Sequence, residues 1–247
     1  MDTQATLDLL KQLRLQGMAQ AYEGILTMPF QDQPTAGHLI SRLADAESQY
    51  RAQQKTEMNL RLSKLRYNAV LEQVQCNATR NLSKDNLMAL ADCNFIVRAE
   101  NILITGSTGC GKSYLASALG RQVCIMGYKV LYFGMNRFLE KISQSKADGS
   151  FIKILNQFEK THLIIFDDFG MYPLDNISKL ALLQILEDRY GKRSIIITSQ
   201  LPVSKWYDYI NEPTIADAIM DRLIHSAQRI DIKGESMRKN KSKPQTV

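Results

Sequence analysis

The chain of 247 residues is 45% hydrophobic and 23% charged, ordinary values for a globular protein with one good-sized core and a smaller second unit. No apolar run approaches the ~20 residues that span a bilayer, and the acidic start MDTQATLDLL lacks the regions of a signal peptide, so no membrane or secretory role is expected. Cys76, Cys93, Cys110 and Cys124 form no CxxC pair, which argues against zinc and a disulfide framework and leaves the reduced thiols of a cytoplasmic protein.

The formal charge of +6 is spread unevenly. Seven Lys/Arg face two acids between Arg51 and Lys84, and five face one from Lys233 onward. Two basic ends around a near-neutral middle suit a polyanionic partner, although solvated helix faces explain them equally well.

In chain order, Leu9, Leu13, Met18, Tyr22 and Ile25/Leu26 recur broadly at helical spacing, with Asp2 or Thr3 as a cap and Gly17 as an interruption. Pro29 and Pro34 bracket a loop, after which Thr35 caps a long helix carrying Leu39, Leu43, Ala46 and Tyr50. Its extension holds Arg51, Lys55, Arg61, Lys64 and Arg66, so the region divides into a core-forming half and a basic half. A short helix is expected at KDNLMALADC (84–93). From residue 101 the pattern becomes strand–helix alternation, with strands at 101–105 (NILIT), 129–133 (KVLYF), 163–167 (LIIFD), 194–199 (SIIITS) and 229–232. Such apolar runs suit parallel strands buried on both faces, hence an α/β sheet flanked by helices behind a small all-α N-terminal domain. The expected boundaries are 1–75 for that domain, 76–238 for the α/β domain and 239–247 for a disordered basic tail.

The stretch GSTGCGKS (106–113) lies between the first strand and a helix expected over 113–126, the order that a phosphate-binding loop requires. Gly106, Gly109 and Gly111 allow a turn that aims successive N–H groups at an anion, together with those of Ser107, Thr108 and Cys110. The helix beginning at Ser113 and Tyr114 adds its positive dipole end. Lys112 would place charge on the β- and γ-phosphates, and the Ser113 hydroxyl would reach Mg²⁺. Oxidation of Cys110 inside the loop would block nucleotide. About fifty residues on, LIIFDD ends a strand in paired acids. Asp167 would hold the Mg²⁺ shell and Asp168 would polarise an attacking water, which favours hydrolysis over binding alone. Gln200, after the strand SIIITS, is either a polar strand cap or a group that senses the γ-phosphate. Arg222 is either an arginine finger for a neighbouring subunit or the partner of Asp217 or Asp221. Trp206 reads as a packing anchor and His225 as a structural histidine.

These residues together carry a resemblance. LDLLKQLRLQGMAQAYE, GSTGCGKSYLASALG, LIIFDDFGMYPLD, RSIIITSQLPVSKW, DRLIHSAQRI and KGESMR resemble the IstB-type helper ATPases of insertion-sequence transposition, in the DnaC-like clade of AAA+ ATPases. The resemblance covers essentially the whole chain. It implies that 106–113 is Walker A, that Asp167 and Asp168 are Walker B, that Ser199–Gln200 holds the first sensor, and that Arg222 is a finger acting across subunits. It also implies an ATP- and Mg²⁺-dependent homo-oligomer on double-stranded DNA that recruits an IstA-type transposase, cytoplasmic and associated with the nucleoid when on DNA. The chain departs from the family's usual residues at Asp168 (often Glu), Gln200 (Asn) and Met237 (Tyr), and Arg238 is a further candidate for contacting phosphate. Two alternatives share the core: a DnaC-like helicase loader, and a DNA scaffold that ATP merely glues together.

Overall fold

The computed structural model describes residues 3–234, 236 and 237, so Asp2, Arg238 and the expected tail lie outside the described residues. The chain divides into two compact units between Met58 and Asn59. Residues 59–75, expected with the N-terminal helices, are part of the second unit.

The first unit contains α1 (Thr3–Gln12), α2 (Gln16–Leu26) and most of α3 (Ala36–Ser63). The break between the first two helices falls at residues 13–15, where Arg14 takes a left-handed φ of 59°. It does not fall at Gly17, which lies inside α2. That glycine serves close approach instead: a Cβ there would stand 2.5 Å from the Ala46 carbonyl oxygen of α3. Leu15 caps α2 without a side-chain hydrogen bond. Glu47 supplies the missing cap from α3, its Oε2 accepting from the N–H of Gly17 at 2.8 Å and of Met18 at 3.2 Å. Arg51 donates to the other oxygen at 2.7 Å, so this arginine of the basic run belongs to the packing of the unit.

The second unit continues through α4 (Lys84–Ala91) and α5 (Asn94–Val97) to the sheet region. There β1 (Asn101–Gly106), α6 (Lys112–Ile125), β2 (Val130–Gly134), α7 (Met135–Ala147), α8 (Phe151–Glu159), β3 (Leu163–Phe169), α9 (Asn176–Arg189), β4 (Ser194–Ser199), α10 (Trp206–Ile210), α11 (Pro213–Ile224) and β5 (Ala227–Ile232) follow in order. All five expected strands are present, every pairing is parallel, and the order across the sheet is β2-β3-β4-β1-β5. The central strands are apolar runs because both of their faces are covered. Their side chains alternate between two cores. Leu103, Ile164, Phe166, Ile195 and Ile197 pack with α7, α8, α9 and α11. Ile102, Ile104, Leu163, Ile165 and Ile196 pack on the other face with α4 and α6. Trp206 is the anchor that its context implied, fully buried against Phe169 with its indole N–H donating to Leu201.

One buried arginine ties the amino ends of β3 and β4 to the helices around them. Arg189 is 1% exposed and donates to the carbonyls of Phe158, Thr161, His162 and Ser194. No carboxylate pairs with it among the described residues, so burial lowers its pKa. Arg189→Met fills similar volume but strands these carbonyls, and loss of about 3 kcal/mol or more is expected at ~1 kcal/mol per abandoned bond. Chemical denaturation measures it, and a change below about 1 kcal/mol would show that water replaces the guanidinium.

Candidate functional site

The glycine-rich loop leaves β1 and enters α6 in a left-handed turn, with Gly106, Gly109 and Gly111 at φ of 144°, 80° and 96°. These angles suit glycine alone, and space is short at all three, least forgivingly at Gly106, where a Cβ would stand 2.2 Å from the backbone carbonyl oxygen of Ile232. A Cβ on Gly109 would lie 2.1 Å from Ser236 Oγ, and one on Gly111 3.1 Å from the Arg80 guanidinium. The segment after β5 lies over the loop: Met237 N–H donates to Gly109 at 3.0 Å, and Ser107 Oγ donates to Gly234 at 3.2 Å. Lys112 is buried and donates to the carbonyls of Gly106 and Ser107, both at 2.9 Å. Thr108 Oγ1 donates to Gln200 Oε1 at 2.6 Å, so Gln200 does stand against the loop. Cys110 is 1% exposed with its sulfur turned into the core below Gly106, which shields the thiol from the oxidation considered for it.

The paired acids reach this loop through strand alternation. Leu163 and Ile165 face α6, so Asp167 does too, at the carboxyl end of β3 and wholly buried. Ile196 also faces α6, and two residues on Thr198 places its hydroxyl on Asp167 Oδ1. From β2, the Tyr132 hydroxyl donates to Asp167 Oδ2. Arg66 completes the set, its Nη1 lying 3.0 Å from Asp167 Oδ2 and 3.2 Å from Asp168 Oδ2. Burial, together with the Asp167 charge, drives the Tyr132 phenol well above its ordinary pKa, so it remains a donor.

Asp168 follows in a left-handed turn (φ 64°) where the pairing of β3 with β4 slips between Phe166 and Phe169. Its N–H donates to Thr198 Oγ1 at 3.1 Å. Burial raises its carboxyl pKa and the charge of Asp167 adds to this, while Arg66 and Lys112 pull it back.

Ser199 does not face the acids. Its hydroxyl donates to the Phe169 carbonyl at 2.6 Å on the other face, so Thr198 is the residue of this strand that touches Asp167. Alternation from Ile196 would have identified it. Arg66, Arg80 and Tyr132 were also missed as site residues, because nothing local to 66 or 80 announces a contact with residues 100 or 30 positions away. Arg222 is not brought to this loop. Asn101, at the opposite end of β1, donates to the Arg222 carbonyl at 3.1 Å. The guanidinium pairs with Glu187 at 2.7 Å and reaches Asp221 at 3.7 Å. Among the described residues no cluster of three or more His, Cys, Asp and Glu could hold a metal by itself, and no helix is long and apolar enough to cross a membrane.

A glycine-rich loop after β1, paired acids near the end of β3 and a polar threonine near the end of the strand between them define a P-loop domain. Solved structures agree on the fold. The DnaC helicase loader superimposes with a TM-score of 0.56 at 19% identity, covering 68% of this chain and 98% of that one. DnaI does so with a TM-score of 0.58 at 20% identity, covering 67% and 92%. The family model for IstB-like ATP binding proteins matches residues 8–245, and the chain belongs to that family. It is 40% identical to a putative insertion sequence ATP-binding protein of Sinorhizobium fredii over 95% of this chain and 96% of the relative. It is 28% identical to the insertion sequence IS21 putative ATP-binding protein of Pseudomonas aeruginosa over 93% and 87%.

Thr198→Val keeps the shape and removes the hydroxyl that serves both acids. It should cost roughly 1–3 kcal/mol of stability, the range for stranding a buried acceptor. Equilibrium unfolding reads this directly, and an unchanged midpoint would mean that Asp167 does not need that bond.

Proposed function

We propose that this chain hydrolyses ATP with Mg²⁺, assembles with copies of itself on double-stranded DNA, and delivers that DNA to the transposase of its insertion sequence, an IstA-type partner. The observation that carries the reading is the convergence of Asp167, Asp168 and Thr198 beside the loop of Lys112. Binding alone needs the loop, whereas a second acid at the strand end is what activation of water requires. The names of its relatives, insertion sequence ATP-binding proteins, support the transposition context.

The roles follow from the chemistry of each group. Backbone N–H groups of 106–113 and the start of α6, from Ser113 and Tyr114, receive the phosphates. Lys112 turns from its two loop carbonyls to the β- and γ-phosphates. Ser113 and Asp167 offer hard oxygens that suit Mg²⁺. The Asp167 oxygens are already engaged by Thr198, Tyr132 and Arg66, so contact through an intervening water fits best. Bound there, the ion would neutralise phosphate charge. Asp168 takes the proton of the attacking water, and Gln200, hydrogen-bonded to Thr108, responds to the terminal phosphate. Arg222 lies at the far end of β1 and would serve a neighbouring copy's nucleotide after exchanging Glu187 for phosphate.

Asp168→Asn should retain nucleotide and lose turnover by roughly 10²-fold or more, the usual contribution of a general base. Turnover at the unaltered rate would overturn the assignment. The pH dependence has a defined sign. Asp168 acts ionised, and its pKa is raised, so turnover should fall on acidification with a midpoint above the ~3.9 of a free aspartate. A rate flat down to about pH 4 would remove Asp168 as the base.

Light scattering with and without a non-hydrolysable ATP analogue tests assembly, each with duplex, with single-stranded DNA and with neither. Large particles only with analogue plus duplex are expected, and high salt should dissolve them because phosphate contacts release counterions. Assembly on single strands would favour helicase loading, and a monomer throughout would remove Arg222 as a finger.

A further inference from the structure

Arg66 belongs to the basic run that the sequence alone offers to a polyanion, yet its guanidinium is committed elsewhere. Nη1 bridges Asp167 Oδ2 and Asp168 Oδ2 at 3.0 and 3.2 Å. The guanidinium carbon lies 5.5 Å from the centroid of the Tyr67 ring. That ring in turn meets Tyr114, the residue after Ser113 on α6, at 6.1 Å. Tyr114 is itself held, donating its hydroxyl to Gln73 at 2.7 Å. A continuous line of contacts therefore runs from the first turn of α6 through two aromatic rings to the paired acids.

The two carboxylates differ in what fixes them. Asp167 is 0% exposed and is held by two hydroxyls besides the arginine. The side chain of Asp168 is 28% exposed, and among the described residues the one hydrogen bond to its carboxylate comes from Arg66. Without that bond, among the described residues only the more distant charge of Lys112 opposes rotation of Asp168 toward solvent, away from its like-charged neighbour. A single nitrogen placed between the two oxygens draws both acids to one point.

We propose that Arg66 is a positioning residue for hydrolysis, fixing the direction of the Asp168 carboxylate and through it the attacking water. The inference rests on the ATPase reading above. Arg66 acts through the acid that it holds. By the same commitment it is withdrawn from the DNA-facing charge of its neighbours Arg61 and Lys64.

The test uses Arg66→Ala, Arg66→Gln and Arg66→Lys in the full chain. Steady-state turnover is measured together with the Kd of a fluorescent ADP analogue with Mg²⁺, duplex affinity and melting temperature. Expected is a kcat lower by roughly 10–100-fold in the Ala and Gln variants, the scale for a misdirected catalytic group. KM and the analogue's Kd should stay within about threefold, and Lys should recover part of the rate, because it restores a charge near the bridging point without the ring contact of the guanidinium. Should Arg66→Ala fail to fold, the Gln and Lys variants carry the comparison. Turnover unchanged or raised in folded variants would overturn the proposal. So would a fall in nucleotide affinity parallel to that in kcat, or lost duplex affinity with kcat intact, which would return Arg66 to the DNA surface. No turnover in the unaltered chain would end the ATPase reading and this inference together, whereas turnover kept in both chain and variants removes this inference alone.

Discussion

A carboxylate wholly removed from water at the carboxyl edge of the sheet is the constraint around which this domain is arranged. An ionised Asp167 left alone there would cost several kcal/mol, so its oxygens must be met. The groups that meet them come from three separate places in the chain: Tyr132 on β2, Thr198 on β4 and Arg66 after α3. Only the parallel order β2-β3-β4 lets the two hydroxyls converge, one from each neighbouring strand. The register makes this concrete. Gly134 lies opposite Asp167 and Phe166 opposite Ile197, so residues 132 and 198 arrive on the same face as the acid, near its level. Thr198 is also level with Ile104 of β1, which places the threonine between the acid and the loop that follows β1.

The same alternation explains what could be read from residues alone. Apolar runs such as LIIF and SIII give strands because a strand covered on both faces has no polar side to confuse the pattern. The glycine-rich loop and the paired acids are local signals, legible since each is contiguous in sequence. The strand end points to Gln200 beside the loop, whereas the contact of Thr198 with Asp167 emerges only from the strand's period of two. Gln200 faces Thr108 and Ser199 faces the opposite core. Gly17 looks like a helix break in sequence, whereas its meaning is the packing distance between α2 and α3. Arg66 and Arg80 were beyond reach, since a basic residue in a polar stretch looks solvated until the fold brings a carboxylate or a loop carbonyl to it.

The charge of this chain therefore divides by geometry rather than by count. Arg51 is bound to Glu47, Arg66 to the paired acids, Arg80 to the Cys110 carbonyl and Arg189 to four carbonyls. Four guanidinium groups are thus paired within the chain, although Arg51 and Arg66 stay partly exposed, and net charge overstates what is unpaired. Lys55, Arg61, Lys64 and Lys84 are the exposed remainder of the same run.

Arg222 presents the reverse situation. Its guanidinium is 28% exposed and held by Glu187, whose own side chain is 48% exposed. A pair so open to water contributes little to stability, since solvent screens it and the side chains lose entropy in forming it. Exchanging that carboxylate for a triphosphate is therefore a small local cost, set against a ligand of greater charge. Position, not strength of pairing, limits the residue: with its backbone at the amino end of β1, it is separated from its own glycine-rich loop by the length of that strand. The proposed role of Arg222 toward a neighbouring copy's nucleotide rests on this placement, because the strand keeps the residue away from its own loop.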